Sequence, residues 1–383
     1  MRAVLVDHAS PRFTELLAGA LDAGTPGPAI VPIDSGLPSV RLETLLRTLD
    51  PDEVEDAGGV TTLSSGKSGV SEDTAVIICT SGSTGEPKGV RLSAAAMLHS
   101  ARASLDRIGA GPGERWLCCL PVTHIAGIQV LVRSLAGGTE PVLAASADSP
   151  TIANADCTHI SLVPTQLSRL DPACFAAYST VLLGGSAAAA GQVERARAAG
   201  VPVVTTYGMS ETCGGCVYDG IPLDGVKAEV RDEDGGRIWI SGPVLFQGYA
   251  EGPPAGDWFR TGDLGAVDAG GRLVVRGRAD DVINTGGHKV LPGEVATALQ
   301  GCPGVRDAAV LGQTDPEWGE RVVAVVVPTD PRDPPTLKML RMHVKERLPR
   351  YAAPSRVVLV DAVPMLPSGK PDLMRLRQGL SDR

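Results

Sequence analysis

The sequence predicts an α/β protein with a large N-terminal domain of layered sheets and helices and a small C-terminal α+β domain. Three observations predict this class. Strand-like and helix-like runs alternate between residues 74 and 208, as in layers built on a largely parallel sheet. From about residue 225, short strands separated by acidic and glycine turns are typical of hairpins. Beyond Asp280, helical and strand-like runs form a smaller segment.

The elements can be followed in chain order. The first 70 residues contain two short helical patterns, FTELLAGAL and VRLETLLRTL, and end in a loose stretch at 56–69. The β-branched run TAVIICT at 74–80 predicts a buried strand. GVRLS at 89–93 predicts a short strand, and Ser93 is a good N-cap for the helical run AAAMLHSARASL.

In the alternating region, the strand-like runs are RWLCCLP, TEPVLA, THISLVP, TVLLGG and VPVVTTYG. The helix-like runs are IQVLVRSL, TQLSRL and AGQVERARAAG. The hairpin patterns are VKAEVRDEDGGRIWISG and LGAVDAGGRLVVRGR. In the last segment, GEVATALQG and TLKMLRMHVKERL are helical, whereas DAAVLG and RVVAVVV are strand-like. We therefore predict domains at 1–279 and 280–383.

Composition argues against several classes of function. A chain of 383 residues predicts two or more domains, and its net charge of −9 argues against nucleic acid or an anionic membrane as a partner. The longest apolar run, VVAVVV at 322–327, is too short to span a membrane, and the N-terminus lacks a signal-peptide core. These features predict a cytoplasmic protein. Eight cysteines do not suggest a disulfide framework, and the lone C-x-x-C at 213–216 is a weak signal for zinc or redox chemistry.

The segment CTSGSTGEPKGVRLS at 79–93 carries the first chemical signal. It combines several hydroxyl side chains and glycines with one lysine, Lys88, directly after a predicted strand. Such a loop can turn backbone N–H groups toward an anion, while the hydroxyls add donors and the lysine adds charge. Its spacing differs from that of a Walker A loop. The segment therefore predicts a phosphate site of another kind.

TSGSTGEPKG resembles the phosphate-binding signature of the adenylate-forming superfamily, which includes acyl-CoA synthetases, adenylation domains and luciferases. Further segments resemble that superfamily's other motifs, in the same order: LPVTHIAG (120–127), YGMSET (207–212), RTGDLG (260–265), GRADDVINTGG (277–287) and PSGK (367–370). The resemblance covers about three quarters of the chain. It implies the adenylate-forming enzyme fold, trimmed at its N-terminal start, with a mobile C-terminal domain.

The resemblance also implies a nucleotide site. Tyr207 would stack on adenine, Asp263 would accept the ribose hydroxyls with help from Arg278, and Glu211 would bind Mg²⁺. Lys88 and Lys370 would meet the phosphates, with Lys370 reaching them from the C-terminal domain. The full set of residues implied to bind the nucleotide is Thr80, Ser81, Gly82, Ser83, Thr84, Gly85, Lys88, Gly185, Tyr207, Asp263, Arg278 and Lys370.

The resemblance implies two half-reactions. Lys370, Glu211, His124 and Lys88 would take part in catalysis, with ATP and Mg²⁺ forming an acyl-adenylate that the thiol of coenzyme A then attacks. Rotation about a hinge at Asp280 would exchange Lys370 for the loop of Gly286 and Gly287, which would line the thiol tunnel.

The acid is indicated by two stretches, LPVTHIAGIQVLVRSLAGG and THISLVPTQLSRL, that resemble short o-succinylbenzoate–CoA ligases of menaquinone biosynthesis. That substrate has a second, aromatic carboxylate, which needs a basic partner when buried. The resemblance assigns this role to Arg133, with His124, Gly208, Met209 and Ser210 lining the pocket. Two structural alternatives stay open: Arg133 could extend along a helix face to solvent, and His124 could be a satisfied core histidine.

We therefore expect an AMP-forming acid–CoA ligase acting on o-succinylbenzoate, with ATP, CoA and a small carboxylic acid as its partners. The alternatives are a ligase for another aryl or short acyl acid, and a stand-alone adenylation enzyme that loads a carrier protein. A nucleotide-binding module without catalysis is a further alternative, which the presence of both Lys370 and Glu211 disfavours. The sequence leaves the oligomeric state open, with a homodimer as one alternative.

Overall fold

The computed structural model describes residues 1–7, 10–22, 27–63, 70–81, 87–189, 191–365 and 372–381. The chain divides into two compact units. The first unit consists of Met1–Gly185, Ala196–Ala228 and Trp239–Phe259. The second consists of Ser186–Arg195, Glu229–Ile238 and Arg260–Arg383. The predicted domain boundary and hinge at Asp280 remain a prediction.

One seven-stranded sheet of the first unit is built mostly from the N-terminal part of the chain. Strands are numbered in chain order, and its members are β1 (Arg2–Val6), β2 (Ile30–Asp34), β3 (Glu53–Asp56), β4 (Gly59–Thr62), β5 (Thr74–Ser81), β6 (Pro87–Ser93) and β16 (Gly248–Tyr249). The strand order is β16-β6-β5-β2-β1-β3-β4. The central pairs from β5 to β3 are parallel, whereas β6, β16 and β4 pair antiparallel at the edges. Ala3, Val31 and Ile77 on these strands belong to one buried apolar cluster.

The second seven-stranded sheet of this unit carries the alternating pattern. Its strands are β7 (Trp116–Cys118), β8 (Val142–Leu143), β9 (His159–Leu162), β10 (Thr180–Leu183), β11 (Val203–Met209), β12 (Gly214–Tyr218) and β13 (Ile221–Pro222). The order is β13-β12-β11-β10-β9-β7-β8, and β11 through β8 are parallel. The predicted α/β fold with a largely parallel sheet is therefore confirmed.

Except for α5 (Ser149–Asn154), which no pattern predicted, the helices between these strands follow the predicted patterns. They are α1 (Pro11–Leu21), α2 (Ser39–Leu49), α3 (Ala94–Ile108), α4 (Ile125–Ala136), α5 (Ser149–Asn154), α6 (Pro164–Leu167) and α7 (Gln192–Ala198). Ser93 caps α3 as predicted, since its hydroxyl accepts a hydrogen bond from the Ala96 N–H at 3.2 Å. The first 60 residues differ from the expectation, because the helical patterns there alternate with β1 and β2. Residues 59–62 of the expected loose stretch form β4, which pairs with β3.

Most of a four-stranded sheet belongs to the second unit. Its strands are β14 (Lys227–Arg231), β15 (Arg237–Ser241), β17 (Trp258–Val267) and β18 (Leu273–Arg278), in the order β14-β15-β17-β18. Strands β17 and β18 pair antiparallel, which confirms the hairpin predicted there.

The rest of the second unit is a five-stranded sheet with helices. The elements are β19 (Ile283–Thr285), β20 (His288–Val290), α8 (Pro292–Gln300), β21 (Val305–Asp315), β22 (Gly319–Pro328), α9 (Leu337–Lys345), β23 (Arg356–Leu359) and α10 (Leu373–Ser381). Strands β21 and β22 pair antiparallel over most of their length, and β23 pairs parallel with β22. Val295 and Leu299 of α8 and Leu340 and Val344 of α9 are buried in one cluster with β22 residues. In the part of the chain that is described, no helix is long and apolar enough to cross a membrane.

The cap of α3 gives a test of local stability. We expect Ser93→Ala to lower the free energy of unfolding by about 1 kcal/mol, because the Ala96 N–H at the helix start loses its side-chain acceptor. Urea unfolding followed by far-UV circular dichroism measures the change. Ser93→Thr keeps an acceptor and should stay close to wild type; equal losses in both variants would contradict the capping role.

Candidate active site

The predicted phosphate segment is held by an antiparallel hairpin. Strands β5 and β6 pair with Thr80 opposite Lys88, so the two ends of the loop are fixed side by side. The Thr80 hydroxyl lies 3.4 Å from the Lys88 carbonyl oxygen. Lys88 is exposed, and its ammonium nitrogen lies 5.4 Å from the centre of the Tyr249 ring. Gly82, Ser83, Thr84 and Gly85 lie outside the described residues, as does the side chain of Ser81.

A second group of predicted residues lies at the carboxyl ends of β10 and β11. These strands are parallel neighbours, so Gly185, just beyond β10, and the segment Tyr207–Ser210, at the end of β11, lie at the same edge of the sheet. In open α/β sheets this edge is where ligands bind. Tyr207, Met209 and Ser210 are half-buried, and Gly185 is exposed.

Gly208 stands where the backbones of β11 and β12 approach each other closely. The register of this antiparallel pair shifts between Tyr207 and Gly208. A Cβ atom on Gly208 would lie 1.9 Å from the carbonyl oxygen of Gly214, so no larger residue fits without moving the backbone. Met209 is fixed next to it, because its N–H donates to the Thr212 hydroxyl at 2.9 Å. The close approach therefore sets the path of the chain into Glu211.

Glu211 lies in a 3₁₀ turn, Ser210–Thr212, that directly follows β11. The Tyr249 hydroxyl donates to Glu211 Oε1 at 2.9 Å, and the Phe246 N–H donates to the Glu211 carbonyl oxygen at 2.9 Å. Glu211 is half-buried. One bond thus orients the Glu211 carboxylate, and the second, from the same short segment, fixes the Glu211 backbone.

The donor set at Glu211 fits Mg²⁺. Among the residues that the structure covers, no group of three or more His, Cys, Asp or Glu side chains could hold a metal ion. Mg²⁺ is usually bound through one or two carboxylates, substrate phosphates and water, rather than by a cage of protein ligands. A single oriented carboxylate is therefore compatible with Mg²⁺ that arrives with a nucleotide, and not with a structural zinc site.

Arg133 of α4 is one of the few fully buried charges in the first unit. The residue is 5% exposed, which excludes the alternative in which it extends to solvent. Its Nη2 donates to the Ser161 hydroxyl at 2.9 Å, and its guanidinium lies 4.3 Å from the centre of the Trp116 ring. Its Nε is buried and has no hydrogen-bond partner. Burial lowers the pKa of the guanidinium, since the charge is removed from water.

The surroundings of Arg133 are rigid. Trp116 packs against the His159 ring with centroids 4.8 Å apart, and His159 Nε2 lies 2.9 Å from Glu114 Oε2. This imidazole holds the pKa of the Glu114 carboxyl below its usual range. His124, in contrast, is the exposed N-cap residue of α4, so it is not a core histidine.

In the second unit, Asp263 and Arg278 face each other across the β17–β18 pair. Arg278 Nε lies 3.5 Å from Asp263 Oδ1, and Arg278 Nη2 lies 3.9 Å from Asp280 Oδ2. Asp263 is buried, and its N–H donates to the Thr261 hydroxyl at 3.1 Å. The two residues predicted to meet the ribose are therefore an ion pair on one hairpin.

Gly286 and Gly287 form the two-residue turn that joins β19 to β20. Both have positive φ, 56° and 80°, which is the requirement of a type I′ hairpin turn. Both are exposed. Lys370, predicted to act from the same unit, lies outside the described residues.

The C-x-x-C segment does not resemble a reactive site. Cys213 and Cys216 are buried, and burial raises the pKa of the Cys216 thiol to about 12. Burial raises the pKa of Cys213 as well. Reactive thiols usually have a lowered pKa, so these cysteines are structural.

Comparison with known proteins identifies the family. The profile of the family described as AMP-binding enzyme matches residues 50–250, and that of the AMP-binding enzyme C-terminal domain matches residues 294–370. The chain belongs to the AMP-binding enzyme family. The adenylate-forming superfamily predicted from the sequence motifs is thereby confirmed.

Two curated relatives and one solved structure illustrate the similarity. A protein of Mycobacterium tuberculosis named "Probable 2-succinylbenzoate--CoA ligase" is 46% identical over 82% of this chain and 87% of its own length. The 2-succinylbenzoate–CoA ligase of Bacillus velezensis is 33% identical over 90% of this chain and 76% of its own. The o-succinylbenzoate CoA synthetase of Bacillus subtilis, solved with its acyl-adenylate intermediate, is 26% identical, with a TM-score of 0.81 over 100% of this chain and 88% of its own.

In this AMP-binding enzyme, the structure adds residues that the motifs do not identify. Tyr249 contacts both Lys88 and Glu211, and Trp116 and Ser161 contact Arg133. The available signal was rarity: aromatic residues are 3% of the chain. A tyrosine or tryptophan in this chain is therefore a candidate for a specific role, although rarity alone does not tell which residue it contacts.

The tight approach at Gly208 predicts a large effect of one methyl group. We expect Gly208→Ala to cost about 1–3 kcal/mol of stability, because the added carbon would collide with the Gly214 carbonyl. Thermal and urea unfolding measure the loss. Gly19→Ala in α1 is the matched control: its Cβ would meet nothing within 4 Å, and it should leave stability unchanged or raise it. A Gly208→Ala protein as stable as wild type would contradict the steric reading.

Proposed function

We propose that this AMP-binding enzyme is an ATP-dependent acid–CoA ligase that converts o-succinylbenzoate to o-succinylbenzoyl-CoA in menaquinone biosynthesis. Family membership and the names of its relatives support the reaction class. The observation that carries the choice of acid is the buried Arg133 guanidinium with an unsatisfied Nε donor. Free cysteines and the absence of disulfides among the described residues support a reducing, cytoplasmic location.

In the first half-reaction, a carboxylate oxygen of the acid attacks the α-phosphorus of ATP and releases pyrophosphate. Lys88, with the phosphate loop, binds the phosphates, and Tyr207 and Asp263 bind adenine and ribose. Glu211 would hold Mg²⁺, whose charge screens the phosphate oxygens. The enzyme thus acts mainly by orienting the reactants and stabilising charge, as is usual in phosphoryl chemistry.

In the second half-reaction, the thiol of coenzyme A attacks the acyl carbon of the adenylate and AMP leaves. We assign Lys370 to adenylation and the turn of Gly286 and Gly287 to the thiol path. His124 lies exposed at the start of α4, where it can line the approach to the acyl group. Gly208, Met209 and Ser210 complete the acid pocket in this proposal.

The acid assignment follows from the electrostatics of Arg133. A buried guanidinium is unfavourable unless its donors are satisfied and its charge is balanced. Ser161 and Trp116 are neutral, and among the described residues no carboxylate forms a salt bridge with Arg133. A substrate with one carboxylate for activation and a second for Arg133 would supply the missing anion. A monocarboxylate would not.

Arg133 can be tested with two acids that differ in one group. We expect Arg133→Leu to raise KM for o-succinylbenzoate by between about tenfold and a hundredfold, since a charged hydrogen bond is lost. KM for ATP should change little. The second acid is 3-benzoylpropanoate, which is the same molecule without the aryl carboxylate. KM for this acid should be the same in Arg133→Leu as in wild type. Steady-state thioester assays with both acids provide the comparison.

Arg133→Lys is the control for charge, because it keeps a cation but loses the planar fork that stacks on Trp116. We expect an intermediate KM for the diacid. If Arg133→Leu left the diacid KM unchanged, or raised KM for both acids equally, Arg133 would not bind the second carboxylate. The assignment of the diacid as the substrate would then have no support from the structure.

Lys370 separates the half-reactions. We expect Lys370→Ala to slow ATP–pyrophosphate exchange by about 10²–10³-fold or more, because charge at the α-phosphate is no longer stabilised. Thioester formation from supplied o-succinylbenzoyl-adenylate should be retained. Lys345→Ala on α9 is a control for loss of a lysine elsewhere in the chain. Equal losses in both half-reactions would contradict separate residues for the two steps.

A further inference from the structure

Tyr249 lies between the two residues assigned to the phosphates and the metal. Its hydroxyl donates to Glu211 Oε1 at 2.9 Å, and its ring centre lies 5.4 Å from Lys88 Nζ. Lys88 and Glu211 are far apart in the sequence: Lys88 lies on β6 of one sheet, and Glu211 lies in the 3₁₀ turn that follows β11 of the other. One half-buried side chain therefore contacts both functional groups.

The backbone around Tyr249 is fixed to both partners. Strand β16 pairs with β6, with Tyr249 opposite Val90, and the Ala250 N–H donates to the Gly89 carbonyl oxygen at 2.7 Å. On its other side, the Phe246 N–H donates to the Glu211 carbonyl oxygen at 2.9 Å. The segment 246–250 therefore joins the strand of Lys88 to the turn of Glu211.

The Tyr249 side chain is held by packing as well. Its ring meets the Phe246 ring edge to face, with centroids 5.1 Å apart, and Phe246 meets Phe259 at 5.2 Å. A phenol is protonated at neutral pH, so the Tyr249 hydroxyl carries the hydrogen that its contact with Glu211 Oε1 needs. It therefore acts as a hydrogen-bond donor to the carboxylate.

These contacts have a chemical consequence for a bound nucleotide. A hydrogen bond on one oxygen of a carboxylate restricts the rotation of the group, which limits the directions of its remaining lone pairs. A cation over an aromatic face is attracted by the ring quadrupole, which favours one position for the Lys88 ammonium. Tyr249 can thus set a carboxylate and an ammonium in a fixed relation before the nucleotide binds.

We propose that Tyr249 is a positioning residue for MgATP, which orients Glu211 toward the metal through its hydroxyl and seats Lys88 on its ring. This inference rests on the proposed function, because it assumes that the site binds MgATP. It adds to that function a residue outside the motif residues assigned above. Tyr249 acts through Glu211 and Lys88 and does not touch the reacting atoms.

Two substitutions separate the two parts of the role. Tyr249→Phe removes the hydroxyl but keeps the ring under Lys88 and its packing on Phe246. We expect about tenfold weaker binding of ATP at saturating Mg²⁺, because a hydrogen bond to a charged group is lost, with metal-free ATP binding unchanged. Tyr249→Leu also removes the ring and should weaken ATP binding both with and without Mg²⁺.

Isothermal titration calorimetry with ATP, at saturating Mg²⁺ and in EDTA, measures binding without any turnover. Tyr178→Phe is the control, because its hydroxyl also makes a hydrogen bond in the first unit, a buried one to the Ile152 carbonyl oxygen at 3.1 Å. It should bind ATP as wild type does under both conditions. Thermal unfolding of all variants checks that the fold is retained.

A double variant with Glu211→Gln provides a second test, which does not depend on how much Tyr249→Phe alone weakens ATP binding. If Tyr249 acts through Glu211, adding Tyr249→Phe to Glu211→Gln should cause no further loss of Mg²⁺-dependent ATP affinity. Additive losses in the double variant would overturn the proposal. So would a Tyr249→Phe protein with the Mg²⁺ dependence of wild type.

The outcomes distinguish this proposal from the function on which it rests. A wild-type protein without affinity for ATP would contradict the proposed function and, with it, the role of Tyr249. A wild-type protein that binds MgATP, with a Tyr249→Phe variant that binds it equally well, would contradict the positioning role alone.

Discussion

The antiparallel pairing of β5 with β6 is the constraint on which the site in the first unit depends. It places Thr80 opposite Lys88 and so fixes both ends of the phosphate segment by backbone hydrogen bonds. Because β16 then pairs with the outer side of β6, the same ladder brings Tyr249 beside Lys88. The position of Lys88 therefore derives from the register of the sheet. A slip of one residue in that register would place the Lys88 side chain on the opposite face.

A different constraint governs the proposed acid pocket, where the charge of Arg133 is buried. Desolvation of Arg133 is offset only in part by Ser161 and by the face of Trp116. Trp116 is in turn packed on His159, which is bonded to Glu114. The guanidinium is thus held by its contacts but incompletely satisfied, because its Nε has no hydrogen-bond partner, and this is the condition on which the proposed anion binding depends.

Sequence patterns predicted the parts of this structure that depend on local information. Hydrophobic period and capping located α3 and β5, and the motifs located Lys88, Glu211 and Arg133. Strands β1 and β2 were missed because five-residue parallel strands carry little period of their own. Tyr249 and Ser161 were missed because their contacts join residues 38 and 28 positions apart, and such contacts are decided by sheet pairing and not by neighbouring residues.

Glycines at the candidate site show why motif and geometry are complementary. Gly208 is needed because the β12 backbone leaves no space for a side chain, whereas Gly286 and Gly287 are needed because both turn residues have positive φ. The first requirement fixes the approach to Glu211, and the second fixes a sharp exposed turn. The close approach before Glu211, the proposed metal ligand, and the tight turn at the proposed thiol path follow from two different properties of the same amino acid. The sequence motif alone therefore cannot tell which property is used.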